Sequence, residues 1–155
     1  MNGQRAVPGS KEAIGPREAR SSPCRLNGCF HCCEGTEMPL TQEDVDRIAA
    51  LGFVPGDFLV RRDGWLQLRN TAEGRCFFLS NGQCSIYPDR PEGCRSYPVV
   101  FDEGGKNALL DPECEHHHGF TISARKASRV GALARRLRRE RMERMSPVAK
   151  RQDEQ

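Results

Sequence analysis

Eight cysteines occur in this chain of 155 residues, and their grouping is the first sign of chemistry. The first group is Cys24-x4-Cys29-x2-Cys32-Cys33, the second is Cys76-x7-Cys84-x9-Cys94, and Cys114 follows alone. A thiolate is a soft, charged ligand that suits zinc, iron and Cu(I). Cysteines that are close in sequence can reach one ion at a small cost in loop closure. The spacing therefore predicts that all eight cysteines are metal ligands.

The adjacent pair Cys32 and Cys33 limits how these ligands are shared. In extended backbone, neighbouring side chains point to opposite faces, so one of the two can bind a centre that the other does not reach. Eight sulfur atoms are enough for two four-coordinate centres, and they could equally form one centre with spare thiols. The sequence leaves both arrangements open.

The spacing also bears on which metal is bound. Cys24-x4-Cys29-x2-Cys32 has the spacing of plant-type [2Fe–2S] ligation. No paired C-x2-C pattern of the zinc-ribbon kind is present. We therefore expect an iron–sulfur cluster or Zn2+ as the cofactor, with the cluster favoured.

The remainder of the sequence sets the expected surroundings of the cysteines. The N-terminal residues contain no apolar segment of the secretory type, which predicts a cytoplasmic protein. In such a reducing compartment, clustered cysteines more often serve metal binding than disulfides. No apolar stretch approaches the roughly 20 residues that cross a bilayer, so no membrane contact is expected.

Charge is concentrated at the C-terminus. From residue 122 to 155 the chain has 11 basic and 4 acidic residues, a balance of +7, so residues 1–121 carry −4 of the total of +3. Such a basic segment is a candidate contact for nucleic acid or an acidic protein partner. The alternative is a solvated amphipathic helix that packs Val130, Leu133 and Leu137 against the body.

Helices are predicted after the first cysteine group and at the C-terminus. Thr41 is a good N-cap with Asp44 in a capping-box position, and Gly52 suits the C-terminal end of that helix. A helical turn is expected at 58–60, and a long helix is predicted from Ile122 to Met145.

Short strands are predicted around the second cysteine group. Segments 65–68, 76–79 and 84–87 have the composition of strands, and Asn81-Gly82 is a hairpin turn. Segments 99–101 and 108–110 flank Gly104-Gly105 as a further hairpin. The predicted fold is a small, loop-rich α+β domain that is built around the metal, with short β-hairpins and a C-terminal basic helix.

Three regions follow from these patterns. Residues 1–23 are rich in Gly, Pro, Ser and charge and predict a disordered tail. Residues 24–121 form the predicted cysteine-cluster domain, and residues 122–155 form the basic helix and tail.

The cysteine motifs resemble those of the YkgJ family of cysteine-cluster proteins, which is described as a zinc- or iron-chelating domain. The family pattern joins an early C-x2-C-x2-C-C cluster to C-x-F-L and C-x-I-Y-x-x-R-P-x-x-C-R-x-Y-P, and the early part that this chain matches is C-x2-C-C, at Cys29, Cys32 and Cys33. The matching residues are Cys76, Phe78, Leu79, Cys84, Ile86, Tyr87, Arg90, Pro91, Cys94, Arg95, Tyr97 and Pro98. The resemblance covers about residues 24–115, and it departs at Cys24, which is separated from Cys29 by four residues rather than two.

This resemblance implies metal chelation through the clustered cysteines, with a structural, redox or accessory role. A larger relative, the flagellin lysine methylase, carries a similar motif, so a cluster-dependent enzyme is a second hypothesis: a transferase such as a protein lysine methylase, or an oxidoreductase. A third is a nucleic-acid or protein adaptor with a structural zinc. No catalytic residue is singled out, and His116, His117 and His118 are expected in a solvated loop.

Overall fold

The computed structural model describes residues 23–102, 104 and 106–147. The predicted disordered tail lies outside these residues except for Pro23, and so does Gly105 of the predicted turn. The helices are α1 (Pro23–Leu26), α2 (Gln42–Ala49), α3 (Pro55–Phe58), α4 (Glu92–Ser96) and α5 (Ala124–Met145). The strands are β1 (Leu59–Arg62), β2 (Trp65–Leu68), β3 (Leu79–Ser80), β4 (Gln83–Cys84), β5 (Val99–Asp102) and β6 (Asn107–Leu110). The predicted small α+β class is confirmed.

The strands of the described residues form three separate antiparallel hairpins, β1–β2, β3–β4 and β5–β6. The Asn81-Gly82 turn is confirmed, because both residues have the positive φ, 51° and 73°, that a two-residue hairpin loop requires. The β5–β6 hairpin also lies where the sequence predicts it.

Three local predictions were wrong in detail. The expected strand at 84–87 keeps only Cys84, which ends β4, and Tyr87 begins a short 3-10 helix, Tyr87–Asp89. The expected helical turn at 58–60 ends at Phe58, and strand β1 begins at Leu59. Asp63 and Gly64, with φ of 49° and 79°, then turn the chain into β2. The expected strand at 76–79 is reduced to its last residue, because Cys76 forms only an isolated bridge with Asn70.

Helix α2 begins as its capping residues predict. The Thr41 side chain accepts a hydrogen bond from the Asp44 N–H, and the Asp44 carboxylate accepts one from the Thr41 N–H. The second Asp44 oxygen accepts from Arg47 at 2.8 Å and from the backbone N–H of Glu92 at 3.0 Å. Asp44 is 1% exposed, so this one carboxylate ties α2 to the start of α4 inside the protein.

The core lies between α2 and the first two hairpins. Phe53, Phe58, Phe77 and Phe78 pack ring against ring, with neighbouring centroids 5.1–6.3 Å apart. The buried members are Leu40, Val45, Ile48, Phe58, Leu59, Leu66, Leu68, Cys76, Phe78 and Ile86. Cys33, Cys84 and Cys94 pack against this cluster, so half of the cysteines adjoin the core.

The basic helix α5 packs along the body. Val130, Leu133 and Leu137 are at most 9% exposed. Arg136 pairs with Glu43 at 2.7 Å, and Arg144 donates to the Gly64 carbonyl at 2.7 Å. Part of the helix's positive charge is therefore offset by an acidic residue of the same chain. None of the helices in the described part of the chain combines the length and hydropathy needed to cross a bilayer.

Replacing Asp44 with Ala should lower the free energy of unfolding by roughly 2–4 kcal/mol. The change removes the acceptor for three hydrogen bonds, which come from the backbone N–H groups of Thr41 and Glu92 and from the Arg47 side chain, all of them buried or partly buried. Chemical denaturation of the metal-loaded protein measures this loss.

Asp46→Ala is the matched control, because Asp46 is an exposed carboxylate of the same helix that accepts from Gln42. Its effect should stay within about 0.5 kcal/mol. Equal losses for the two variants would contradict the role given to Asp44.

Candidate metal centre

Backbone hydrogen bonds hold the first cysteine group beside the second. The N–H of Cys76 donates to the carbonyl of Cys33 at 2.7 Å. Close by, the side chain of Asn70 accepts from the Thr36 N–H at 3.1 Å and donates to the Thr36 carbonyl at 2.9 Å. Two segments that are about 40 residues apart in sequence are therefore fixed in one register.

Two further elements bring Cys84 and Cys94 to the same place. Cys84 ends β4 and pairs with Leu79 across the hairpin. Cys94 lies in α4, and the first turn of α4 is held by the buried carboxylate of Asp44. We call Cys33, Cys76, Cys84 and Cys94 the core-side thiols.

The electrostatic effects of these thiols on one another indicate that they are neighbours. Burial raises the pKa of Cys94, and the charges of Cys76, Cys32 and Cys84 raise it further. Burial likewise raises the pKa of Cys76 and Cys84. Several thiolates in one buried volume repel one another, so the group keeps its protons at neutral pH unless a cation binds.

Backbone donors point at two of these sulfur atoms. The N–H groups of Phe78 and Leu79 donate to Cys76, and the N–H of Ile86 donates to Cys84. All three contacts oppose the rise in pKa that burial causes. In each case the residue two positions after the cysteine turns its N–H back to the sulfur. Such donors stabilise charged sulfur, so the donor set fits a bound zinc or iron centre.

Cys32 lies between this group and the remaining cysteines. The Cys33 thiol donates a hydrogen bond to Cys32, which lowers the pKa of Cys32 to about 7. The charge of Cys32 also raises the pKa of Cys24 and of Cys94, after the larger effect of burial on each. Cys32 is exposed, so solvent reaches the group at this residue.

One arginine lies close to the core-side thiols. Its positive charge opposes the effect of burial on the pKa of Cys84 and Cys94. This residue, Arg90, stacks on the ring of Tyr87 at 3.7 Å and donates to the Tyr87 carbonyl at 2.9 Å. Arg95, in contrast, is exposed and donates to the Pro88 carbonyl. Arg90 is therefore the cation that can offset thiolate charge.

Three cysteines form a second set, the outer thiols Cys24, Cys29 and Cys114. Burial raises the pKa of Cys24 to about 11, with the charges of Cys114 and Cys29 adding to the effect. The Cys24 thiol also donates a hydrogen bond to Cys114. The structure thus separates the eight predicted ligands into four core-side thiols, three outer thiols and Cys32 between them.

Two residues that the sequence did not predict as ligands lie beside the outer thiols. One ligand atom each from Cys29, Glu115 and His116 lie within 4.8 Å of one another. His117 turns away, since its Nδ1 lies 2.7 Å from the carbonyl of Cys114. The residues of the expected solvated loop therefore differ in their surroundings, since His116 lies at a possible metal site and His117 does not. The sequence signal that could have identified Glu115 and His116 is their position directly after Cys114.

Comparison with known proteins agrees with this donor set. Residues 23–117 match the CxxCxxCC family, whose description is "Putative zinc- or iron-chelating domain". No curated protein and no solved structure gives a significant match. The matched residues include all eight cysteines. The match confirms the predicted cofactor class, an iron–sulfur cluster or Zn2+, and the chain belongs to the CxxCxxCC family of zinc- or iron-chelating domains.

Proposed function

We propose that the chain is an iron–sulfur protein whose cluster is held by the core-side thiols and serves a structural, redox or accessory role. Within the CxxCxxCC family we infer the YkgJ type, on the motif that runs from Cys76 to Pro98. The eight cysteines are free thiols in the structure, which suits a reducing compartment such as the cytoplasm.

The spacing of the sulfur atoms carries this proposal. A tetrahedral zinc site with Zn–S bonds of about 2.3 Å places its sulfur atoms only about 3.8 Å apart. Among the described residues, however, the three ligand atoms that lie within 4.8 Å of one another belong to Cys29, Glu115 and His116. None of these residues is a core-side thiol. A [4Fe–4S] cluster would bind each of the four thiolates through a different iron atom, and so it suits thiols that are neighbours at wider spacing.

The remaining features of the core-side group support the same assignment. Hydrogen bonds to sulfur and a nearby positive charge are the means by which a protein tunes an iron–sulfur cluster. The N–H groups of Phe78, Leu79 and Ile86 supply the former, and Arg90 supplies the latter. When bound, the cluster supplies one-electron redox chemistry or a rigid structural link. The protein holds it at the edge of the core, with solvent access at Cys32.

The test is the iron and acid-labile sulfide content of protein purified without air and without a histidine tag, together with its visible spectrum. We expect iron and sulfide in near-equal amounts and an absorption that dithionite bleaches. Cys94→Ser should lose most of the iron and the colour, because a hydroxyl is a poor ligand for iron in a cluster.

Ser96→Ala is the matched control, since Ser96 lies in the same short helix and is half-buried. It should keep the iron and the spectrum of the unaltered chain. A colourless protein that carries zinc alone, or a Cys94→Ser variant with full iron content, would overturn the assignment.

Metal binding should depend on pH because the core-side thiols hold their protons. Burial raises the pKa of Cys76, Cys84 and Cys94, so these thiols are neutral at pH 7 and must lose protons when they bind a metal ion. Affinity therefore rises as the pH rises and falls in acid.

Calorimetry of Fe2+ binding to the iron-free, reduced chain measures this effect in buffers of different ionisation enthalpy. We expect more than one proton released per iron ion at pH 7, and fewer for Cys94→Ser. A binding constant that does not change between pH 6 and pH 8 would contradict the prediction.

A cavity beside Cys32 favours a second candidate function, a cluster-dependent enzyme that acts on a cationic side chain. The cavity measures about 480 Å³ and lies between the first cysteine loop, β5 and α5. Leu133 and Leu137 form part of an apolar wall, while Glu37, Asp111 and Glu113 line the same cavity. An apolar cavity with carboxylates suits the stem and the charged end of a lysine.

If this enzyme hypothesis holds, a lysine-containing peptide should change the electron paramagnetic resonance spectrum of the dithionite-reduced protein. A matched peptide with norleucine in place of lysine should not. An unchanged spectrum with millimolar lysine peptide would count against a substrate site at Cys32.

A further inference from the structure

We propose that Cys29, Glu115 and His116 form a second metal site, which binds Zn2+ through one sulfur, one oxygen and one nitrogen atom. This site is separate from the core-side thiols. Thiolate, imidazole and carboxylate are the three side-chain ligand types that zinc takes in proteins.

The distances are already close to those of a bound ion. Zinc bonds of about 2.0–2.3 Å place tetrahedral ligand atoms roughly 3.3–3.8 Å apart. In the structure all three ligand atoms lie within 4.8 Å of one another. Small side-chain adjustments are therefore enough to close the site around an ion.

Backbone contacts hold both segments of the site in place. The N–H of Cys29 donates to the carbonyl of Cys24 at 2.8 Å and closes the first loop. On the other segment, the N–H of His117 donates to the carbonyl of Cys114 at 3.0 Å, and the N–H of Gly119 donates to that of His116 at 2.9 Å. The ligands on each side thus stand on tight turns rather than on extended loops.

Two contacts join these turns to each other. The Cys24 thiol donates a hydrogen bond to Cys114. Pro23 packs so closely on Gly119 that an added Cβ at Gly119 would lie 2.8 Å from the Pro23 Cγ. The approach of Cys29 to Glu115 and His116 therefore follows from packing that does not involve the ligands themselves.

Three protein ligands leave a position for water or another small ligand. Glu115 is exposed, and Cys29 and His116 are half-buried, so solvent reaches the site. Sites of this kind, with an open position, are the ones in which zinc can polarise or activate a bound molecule. The site thus differs in chemistry from the thiolate centre beside the core.

The test uses the full, iron-loaded chain, which is equilibrated with Zn2+ and then dialysed; zinc and iron are counted in the same sample. We expect one zinc ion per chain in addition to the iron. His116→Ala and Glu115→Ala should each weaken zinc binding by roughly tenfold or more while iron and visible absorption stay unchanged.

His118→Ala and Glu113→Ala are matched controls, because both residues are exposed and lie next to the site in sequence. They should keep the zinc. Retained iron in every variant shows that the chain is folded. If His116→Ala and Glu115→Ala bind zinc as the unaltered chain does, the site is overturned.

Cys29→Ser distinguishes this site from the proposed cluster. It should lose the zinc and keep the iron, whereas Cys94→Ser should lose the iron and keep the zinc. Loss of iron from Cys29→Ser would place Cys29 at the cluster and overturn the second site. A chain without iron that still binds one zinc ion at Cys29 would overturn the cluster alone.

Discussion

The mutual repulsion of buried thiolates is the constraint on which the rest of this structure depends. Four cysteines adjoin the hydrophobic core, and burial raises the pKa of Cys94 in particular. Without a cation the group must stay protonated, whereas a bound metal removes the protons and offsets the charge. Metal binding and folding are therefore expected to be coupled, because the same contacts that assemble the thiols also complete the core.

The protein meets this constraint with backbone groups and a small number of side chains. The turns after Cys76 and Cys84 direct N–H groups at the sulfur atoms, and Arg90 adds a positive charge. Asp44 lies in α2, far from Cys94 in sequence, yet its carboxylate holds the helix that carries Cys94. A residue whose sequence role is a helix cap thus also positions a metal ligand.

The C-terminal helix shows how charge and packing are divided within one element. Its apolar side covers β5 and β6, and Arg141 and Arg144 donate to the carbonyls of Asp63 and Gly64 at the β1–β2 turn. The helix therefore links the last hairpin to the first. Contact with nucleic acid or another protein stays a prediction, carried by the arginines that face solvent.

The sequence by itself determined the chemistry and most of the local structure. Soft ligands in grouped spacing indicate a zinc or iron centre. The Thr41 cap at the start of α2 and the Asn81-Gly82 turn were predictable because each depends only on neighbouring residues. Strand β2 lies where the sequence predicts it, but β1 and its pairing with β2 escaped prediction, since four residues are too few to show alternation clearly.

Only the tertiary structure decided how the cysteines are divided and which other residues join them. Cys29 and His116 are 87 positions apart, and no local pattern reports that packing of Pro23 on Gly119 brings them together. The same holds for Asp44 and Glu92, whose hydrogen bond crosses 48 residues. Ligand type is a property of one side chain, whereas a metal site is a set of distances, and those distances are set by how the whole chain packs.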